Sequence, residues 1–202
     1  WTKNGVRQVR GNIDLNGAGT FDFNAGSPSD REVYTRTTLF FIDNWPSEGK
    51  LPFHTYASVL DGTSQTLMIA ESVRAGVDPY APESRPANWA SPSAWRSQFY
   101  ISGYVCRDMS CAVGNVDYNL ANSREMPYSK EAINSAQTQA EGDAPWASSF
   151  HPGGLHFCFA DGHVKFTSEG INGAVYAALI SPQGRLLSDT PLAQGVVSDT
   201  SF

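Results

Sequence analysis

The sequence predicts an α+β domain in which antiparallel β-strands dominate, and three observations support that class. Aromatic residues make up 12% of the chain, and 18 Gly and 12 Pro supply many turn positions. Asp161-Gly162 separates two apolar runs, which is the strongest short-range signal for a β-hairpin. Apolar residues at helical spacing follow over 170–181. A length of 202 residues fits one domain, 1–202, with a proline-rich insertion around 76–93.

The hairpin over residues 154–168 is the most definite element in the sequence. A two-residue turn at Asp161-Gly162 pairs Phe159 with Val164 and fixes the register outward from there. Because side chains alternate along a strand, such a hairpin has one apolar and one mixed face. The predicted apolar face carries Phe157, Phe159, Val164 and Phe166. The predicted mixed face carries His156, Cys158, His163 and Lys165.

Weaker patterns predict further elements before the hairpin. β-Branched and aromatic residues over 33–43 favour a strand. Asp61-Gly62 has turn chemistry between the apolar runs 53–60 and 65–73.

Two helices are predicted in the second half of the chain. Residues 129–140 are polar all round and favour a surface helix with Ser129 as its N-cap. The helix at 170–181 has its apolar stripe at Ile171, Val175, Ala178 and Leu179.

The composition argues against nucleic-acid binding and against a membrane-spanning segment. The net charge is −6 and the isoelectric point is about 5.1, which argues against nucleic-acid binding, because contact with a phosphate backbone needs clustered Lys and Arg. No apolar run approaches about 18 residues, so the sequence as given contains no transmembrane segment. The low charged fraction and many turns are typical of a folded domain, often one outside the cell.

The cysteines suggest an oxidising compartment. Cys106 ends the run 97–106 and Cys111 begins the run 111–118, and these two runs could pair as a second hairpin. A disulfide between them is the candidate pairing. Free thiols and a zinc site are the alternatives, and zinc needs further ligands at close spacing. Cys158 stands alone in an apolar run and fits a small core residue.

Motifs for catalysis are absent from the sequence. There is no GxSxG serine elbow and no GxxxxGK[ST] phosphate loop, and the GAG at 17–19 is too short for a dinucleotide fingerprint. We therefore expect a protein that is not an enzyme and that needs no cofactor, apart from calcium as considered next.

A weak calcium candidate lies near the start of the chain. Asp14, Asn16 and Asp22 offer oxygen ligands in a Gly-rich loop. The EF-hand pattern fails because Ala25 stands where a bidentate Glu is required. Ordinary Asx-turns are the alternative interpretation.

Three histidines, His151, His156 and His163, crowd one stretch of the sequence. On the predicted hairpin, His156 and His163 are separated by roughly 13 Å, at about 3.3 Å per strand residue, so they cannot share one metal ion. We expect each ring to be hydrogen-bonded or to face solvent.

Exposed aromatic residues suggest a ligand surface. Trp89 and Trp95 lie at the end of the proline-rich insertion and just after it; if exposed, such rings can stack on flat ligands such as sugars or anchor an interface. Packing within the core or the loops is the alternative interpretation.

Two spaced motifs resemble the signatures of one family. Residues 61–67, followed by Glu71, are similar to a DGTSNT-L…GE signature, with Gln65 in place of the usual Asn. Nine residues separate His151 from Asp161-Gly162, which matches a His, nine residues, Asp-Gly pattern.

The tail over 171–179 is similar to the closing helix of the same family, the prepilin-type, pseudopilin-like proteins of planctomycete-type bacteria. The residues of the two motifs are Asp61, Gly62, Thr63, Ser64, Glu71, His151, Pro152, Gly153, Gly154, Asp161 and Gly162. The sequence departs from the family where Gln183-Gly184-Arg185 replaces a Gly-Gly-Glu-like ending.

The resemblance implies an exported protein of the extracellular space or cell envelope. Family members are expected to have a prepilin leader and a long apolar helix ahead of a β-rich head, and the given sequence corresponds to the head without that helix. They are also filed under a solute-binding label, and no active site comes with the resemblance.

The resemblance and the composition together favour a structural or interaction subunit of a pilin-like assembly, by self-assembly or hetero-assembly. A solute- or glycan-binding module that uses exposed aromatics is the alternative. Buried polar groups need partners, so we also expect His151, Asp61 and Glu71 to form a polar cluster that fastens the hairpin to the Asp61 turn.

Overall fold

The structure is a computed structural model that describes residues 4–6, 36–37, 39, 54–73, 99–102, 105, 116–125, 128–138, 146–187, 193–198 and 202. Its strands are β1 (Asn4–Val6), β2 (Leu67–Ala70), β3 (Phe99–Ile101), β4 (Gly154–Phe159) and β5 (Val164–Ser168). The α-helix that the structure describes from end to end is α1 (Gly173–Ile180). Short 3-10 turns lie at Tyr56–Ser58, Thr63–Gln65, Tyr118–Asn122, Tyr128–Lys130, Ser135–Thr138 and Gly184–Leu187. The architecture is α+β, as predicted.

A three-stranded antiparallel sheet, in the order β2-β4-β5, contains the predicted hairpin. Side chains alternate along the central strand β4, and Leu155, Phe157 and Phe159 are fully buried. The Phe157 ring lies 5.8 Å from the ring of Phe99 and 5.9 Å from that of Tyr176 on α1. Burial of each of these large side chains stabilises the fold by about 1.5–3 kcal/mol, so β4 is the centre of the core.

The turn between β4 and β5 is longer by one residue than predicted. The N–H of Phe159 donates to the carbonyl of His163, and the N–H of Gly162 donates to the carbonyl of Phe159, both at 2.9 Å. Residues 160–162 therefore form a three-residue loop. Gly162 has φ +90°, the left-handed conformation that ends this kind of hairpin loop.

This longer loop reverses the predicted faces of β5. A register shift of one residue moves every side chain of a strand to the other face. Val164 now pairs with Cys158 and is 62% exposed, and Phe166 is 46% exposed. Thr167 is buried and Lys165 is half-buried in their place. The prediction of an apolar β5 face packed on the core is wrong, whereas the prediction for β4 is confirmed.

Helix α1 forms where the sequence predicts it. The Asn172 side chain caps it by accepting two backbone N–H groups of its first turn. A Cβ atom at Gly173 would lie 2.3 Å from the carbonyl oxygen of Asn119, so a glycine is needed where the helix meets the turn at Tyr118–Asn122.

The buried surface of α1 is wider than the predicted stripe. Of that stripe, Ile171, Ala178 and Leu179 are buried, and Val175 is half-buried. The helix also buries Tyr176, Ala177 and Ile180. Packing on both β4 and the Tyr118–Asn122 turn explains the difference.

The surface helix predicted over 129–140 is not present in the described residues. Two short 3-10 turns, Tyr128–Lys130 and Ser135–Thr138, replace it. Asn134 between them has φ +62°, which no α-helix contains. The N–H of Ile133 donates to the Asn122 side chain at 2.9 Å and not to a helical carbonyl. Buried tertiary hydrogen bonds therefore override the local helical preference.

Strand β3 pairs in parallel with β1, a contact that the sequence did not predict. In the predicted second hairpin, the N–H of Asp117 donates to the carbonyl of Val105 at 2.8 Å, so the two runs do approach. Cys106 and Cys111, which would close that hairpin, lie outside the described residues.

The strand predicted over 33–43 is wrong where the structure describes it. Arg36 and Thr37 are helical. Arg36 donates through Nη1 to the carbonyl of Leu186 at 2.7 Å and accepts the N–H of Gln183. Contacts with the segment after α1 thus decide this conformation over β-propensity.

The turn predicted at Asp61-Gly62 is confirmed, because Gly62 has φ +101°. The apolar run before it forms the 3-10 turn at Tyr56–Ser58, and the run after it contains β2. In the part of the chain that the structure describes, no helix combines the length and the apolar character that crossing a membrane requires.

Candidate functional site

Glu71 stands at the centre of a polar cluster on the three-stranded sheet. It follows directly after β2, and its carbonyl accepts the N–H of Ser148 at 2.9 Å. Its side-chain Oε2 accepts the backbone N–H of His156 on β4 at 2.8 Å. A charge-assisted bond of this kind fixes the carboxylate against the strand.

His151 lies on the other side of the same carboxylate. Its Nε2 is 3.2 Å from Oε1 of Glu71. Its backbone N–H donates to Oγ of Ser149 at 3.1 Å, and Gly153 turns the chain towards β4 with φ +77°. The predicted contact between His151 and Glu71 is therefore present.

The side chain of His156 points away from the core, opposite the buried side chains of β4, and completes the cluster. Its Nδ1 is 3.6 Å from Oε2 of Glu71, and its ring meets that of His151 edge-on with centroids 5.1 Å apart. The Phe166 ring packs against its other side at 5.2 Å. The side chains of His151, His156 and Glu71 are 52%, 44% and 36% exposed, so the cluster is open to solvent.

These three side chains can supply metal ligands. One ligand atom from each of Glu71, His151 and His156 lies within 4.8 Å of the other two. Two imidazole nitrogens and a carboxylate oxygen form a set of ligands that zinc sites use. The sequence did not predict this set, because His156 reaches Glu71 only through the long-range pairing of β2 with β4.

Asp61 does not join this cluster, which corrects the prediction of a three-residue group. Its Oδ2 accepts the N–H of Gly184 at 2.5 Å, and its Oδ1 accepts the N–H of Arg185 at 3.4 Å. The Asp61 side chain is only 11% exposed. Burial raises the pKa of this carboxyl above its ordinary value, and the hydrogen bonds from Arg185 and Gly184 offset part of that rise.

The two sequence motifs do meet, through backbone hydrogen bonds. The N–H of Ala160 donates to the carbonyl of Thr66 at 2.8 Å, and the N–H of Asp161 donates to that of Thr63 at 3.2 Å. The hairpin is therefore fastened to the turn after Asp61, as expected, but by main-chain groups and not by the side chain of Asp61.

Asp161 and His163 form a separate pair at the tip of the hairpin. Oδ1 of Asp161 accepts the backbone N–H of His163 at 3.0 Å and lies 2.6 Å from Nδ1 of its ring. These hydrogen bonds lower the pKa of Asp161 below its ordinary value. The His163 ring stacks on Phe159 at 4.3 Å. His163 thus lies outside the cluster around Glu71.

Several candidate sites lie outside the described residues. They are the calcium candidate Asp14, Asn16 and Asp22, the aromatic candidate Trp89 and Trp95, the cysteine pair Cys106 and Cys111, and the proline-rich insertion 76–93. Cys158 is within the described part as a free, half-buried thiol on the outer side of β4, and not a fully buried core residue.

The model of one protein family matches residues 5–174, most of the chain. Its description is "Protein of unknown function (DUF1559)". The chain belongs to this family. The family consists of planctomycete-type pilin-like proteins, so the resemblance is confirmed at that level, while the spacing of His151 and Asp161 as a family mark stays a prediction. A search of curated proteins and a search of solved structures found no match.

Proposed function

We propose that the protein is a non-enzymatic structural subunit of an exported, pilin-like assembly in the extracellular space or cell envelope. Membership of a pilin-like family supports this class of function. The observation that carries the proposal is an apolar surface on the β2-β4-β5 sheet. We call this side of the sheet the outer face; its apolar part consists of Ile69, Cys158, Val164 and Phe166, and His156 borders that part.

The outer face contains a continuous apolar row across all three strands. Ile69 of β2 pairs with Cys158 of β4, which pairs with Val164 of β5, so the three side chains point to the same side. Ile69 is 57% exposed, and Phe166 extends the row opposite His156. Single exposed apolar residues are ordinary, but a contiguous apolar patch on a sheet is typical of a protein interface.

The exposed area is large enough to contribute to association. Full burial of a Val, Ile or Phe side chain is worth about 1.5–3 kcal/mol relative to full exposure. Since Ile69, Val164 and Phe166 are each roughly half exposed, covering them would contribute about 3 kcal/mol in total. This free energy would favour the binding of a neighbouring subunit to the outer face, and in this proposal that subunit is a further copy of the chain.

Two matched lysine variants test the proposal. Val164→Lys places a charge in the outer face, whereas Val196→Lys places one at a valine that is 69% exposed and lies off the sheet. Sedimentation velocity over a concentration series and negative-stain microscopy report self-association. We expect wild type and Val196→Lys to associate and Val164→Lys to stay monomeric. Equal behaviour of the two variants would contradict the role of the outer face.

A further inference from the structure

We propose that Glu71, His151 and His156 bind one divalent transition-metal ion of the zinc class. The three residues come from three separate segments: the end of β2, the loop before β4, and β4 itself. Their ligand atoms already lie within 4.8 Å of one another. The site shares His156 with the outer face, but zinc binding is measured separately from self-association, so the failure of one proposal does not decide the other.

The distances are close to those that zinc requires. With bonds of about 2.0–2.1 Å, two ligand atoms of a tetrahedral zinc ion lie about 3.3 Å apart. Nε2 of His151 is 3.2 Å from Oε1 of Glu71, and Nδ1 of His156 is 3.6 Å from Oε2 of the same carboxylate. The spacing between the carboxylate and each imidazole is therefore close to the tetrahedral value, with Oε1 nearest His151 and Oε2 nearest His156.

A backbone hydrogen bond fixes the orientation of the Glu71 carboxylate. Oε2 of Glu71 accepts the N–H of His156, which leaves Oε1 as the oxygen that faces His151. The carbonyl of Glu71 is itself bonded to the N–H of Ser148. Hydrogen bonds to a ligating carboxylate orient it and are worth about 10–100-fold in metal affinity.

The loop that carries His151 is equally constrained. Ser149 Oγ accepts the N–H of His151, and the N–H of Ser149 donates to Oδ1 of Asn134 at 2.8 Å. Asn134 in turn donates to the carbonyl of Gly154 at the start of β4. The loop and the strand that supply the two imidazoles are thus joined through one buried amide, which fixes the spacing between them.

The ligand chemistry selects the class of ion. Calcium and magnesium prefer oxygen ligands throughout, whereas imidazole suits zinc, copper, nickel and iron. An exposed ion pair between Glu71 and one histidine would be worth about 0–1 kcal/mol and would involve only one ring. Here a second imidazole turns towards the same carboxylate, and the open side of the cluster leaves a coordination position for water or for a donor from another molecule.

The test is a calorimetric titration of the full chain with zinc chloride in a non-chelating buffer. We expect one saturable site per chain and a rise in melting temperature with zinc concentration. His151→Ala and His156→Ala should each reduce zinc affinity by more than the roughly 100-fold effect of an outer-sphere change. His163→Ala and Cys158→Ser are the matched controls, and both should keep wild-type affinity.

Two further measurements keep the test decisive if an alanine variant is unstable. Glu71→Gln keeps an oxygen acceptor for the N–H of His156 but removes the anionic ligand, so it should remain folded by circular dichroism and lose zinc binding. Cobalt bound to the wild-type chain should show the intense visible absorption of four-coordinate Co²⁺. No saturable zinc binding by the wild type, or an equal loss of affinity in His163→Ala or Cys158→Ser, would overturn the proposal.

Discussion

Replacement of Asn134 tests whether one buried amide holds the loop before β4 in place. The residue is buried and adopts φ +62°. Its Nδ2 donates to the carbonyl of Gly154 at 3.0 Å, and its Oδ1 accepts the N–H of Ser149 at 2.8 Å. Asn134→Ala removes these two bonds and a third, more exposed one from Nδ2 to Oε2 of Glu169 at 3.0 Å, and it keeps the positive φ.

The expected loss follows from two separate costs. Removing the acceptor leaves the N–H of Ser149 buried without its partner, which costs about 1–3 kcal/mol. An alanine in the left-handed region adds about 1–2 kcal/mol. The carbonyl of Gly154 still accepts a hydrogen bond from Oγ of Ser149 at 2.8 Å, so the loss of its bond from Asn134 adds little. The free energy of unfolding should fall by about 2–5 kcal/mol, which for a chain of this size lowers the melting temperature by roughly 10 °C.

A second variant separates the two costs. Asn134→Gly removes the same hydrogen bonds but tolerates the positive φ, so it should be about 1 kcal/mol more stable than Asn134→Ala after allowance for its more flexible unfolded state. Equilibrium urea unfolding of wild type and both variants measures the differences. A loss below about 1 kcal/mol for Asn134→Ala, or a glycine variant no more stable than the alanine variant, would refute the reasoning.

Two further predictions concern packing and pH. Gly173→Ala should lower the free energy of unfolding by about 1–3 kcal/mol, because its Cβ would lie 2.3 Å from the carbonyl oxygen of Asn119. Gly170→Ala is the control: its Cβ would meet only a side-chain oxygen at 3.5 Å, so it should be close to wild type in the same urea series. Equal losses in the two variants would contradict the close contact at Gly173. Burial raises the pKa of the Asp61 carboxyl in the folded state above 3.8, so the folded protein binds a proton at this group more tightly than the unfolded chain does. The contribution of Asp61 to the free energy of unfolding therefore falls as the pH rises from about 4 through the raised pKa. Asp61→Asn should remove that slope, and an unchanged pH dependence of the unfolding free energy would exclude Asp61 as its source.

The sequence predicted the elements whose signals are local. Asp161-Gly162 marked the hairpin, Asp61-Gly62 marked a turn with positive φ, and the apolar spacing over 170–181 marked α1. Each of these depends on backbone freedom or periodicity within a few residues.

The faces of β5 were not predictable in the same way. A two-residue and a three-residue loop both use Asp161-Gly162, and the choice depends on contacts of Ala160 and Asp161 with the backbone of the turn after Asp61. Those contacts join residues about 95 positions apart in the chain, as with Ala160 and Thr66. Long-range contacts of this kind cannot be inferred from alternation alone.

The candidate site was predicted only in part, for a related reason. The contact between Glu71 and His151 followed from the two motifs, but His156 joins them because the pairing of β2 with β4 brings the end of β2 to the middle of β4. The positive φ of Asn134 was not predicted, because the left-handed preference of a single asparagine does not stand out in a segment whose other residues are compatible with a helix.

The length of the loop between β4 and β5 determines which side chains of β5 point outwards. With three residues at 160–162, Val164 and Phe166 point outwards and Thr167 points inwards. Deleting Ala160 would restore an even count and exchange these sides without changing any residue of β5. In relatives of this chain, the length of this loop should therefore predict which side chains of β5 face solvent, even where the sequence of the strand is the same.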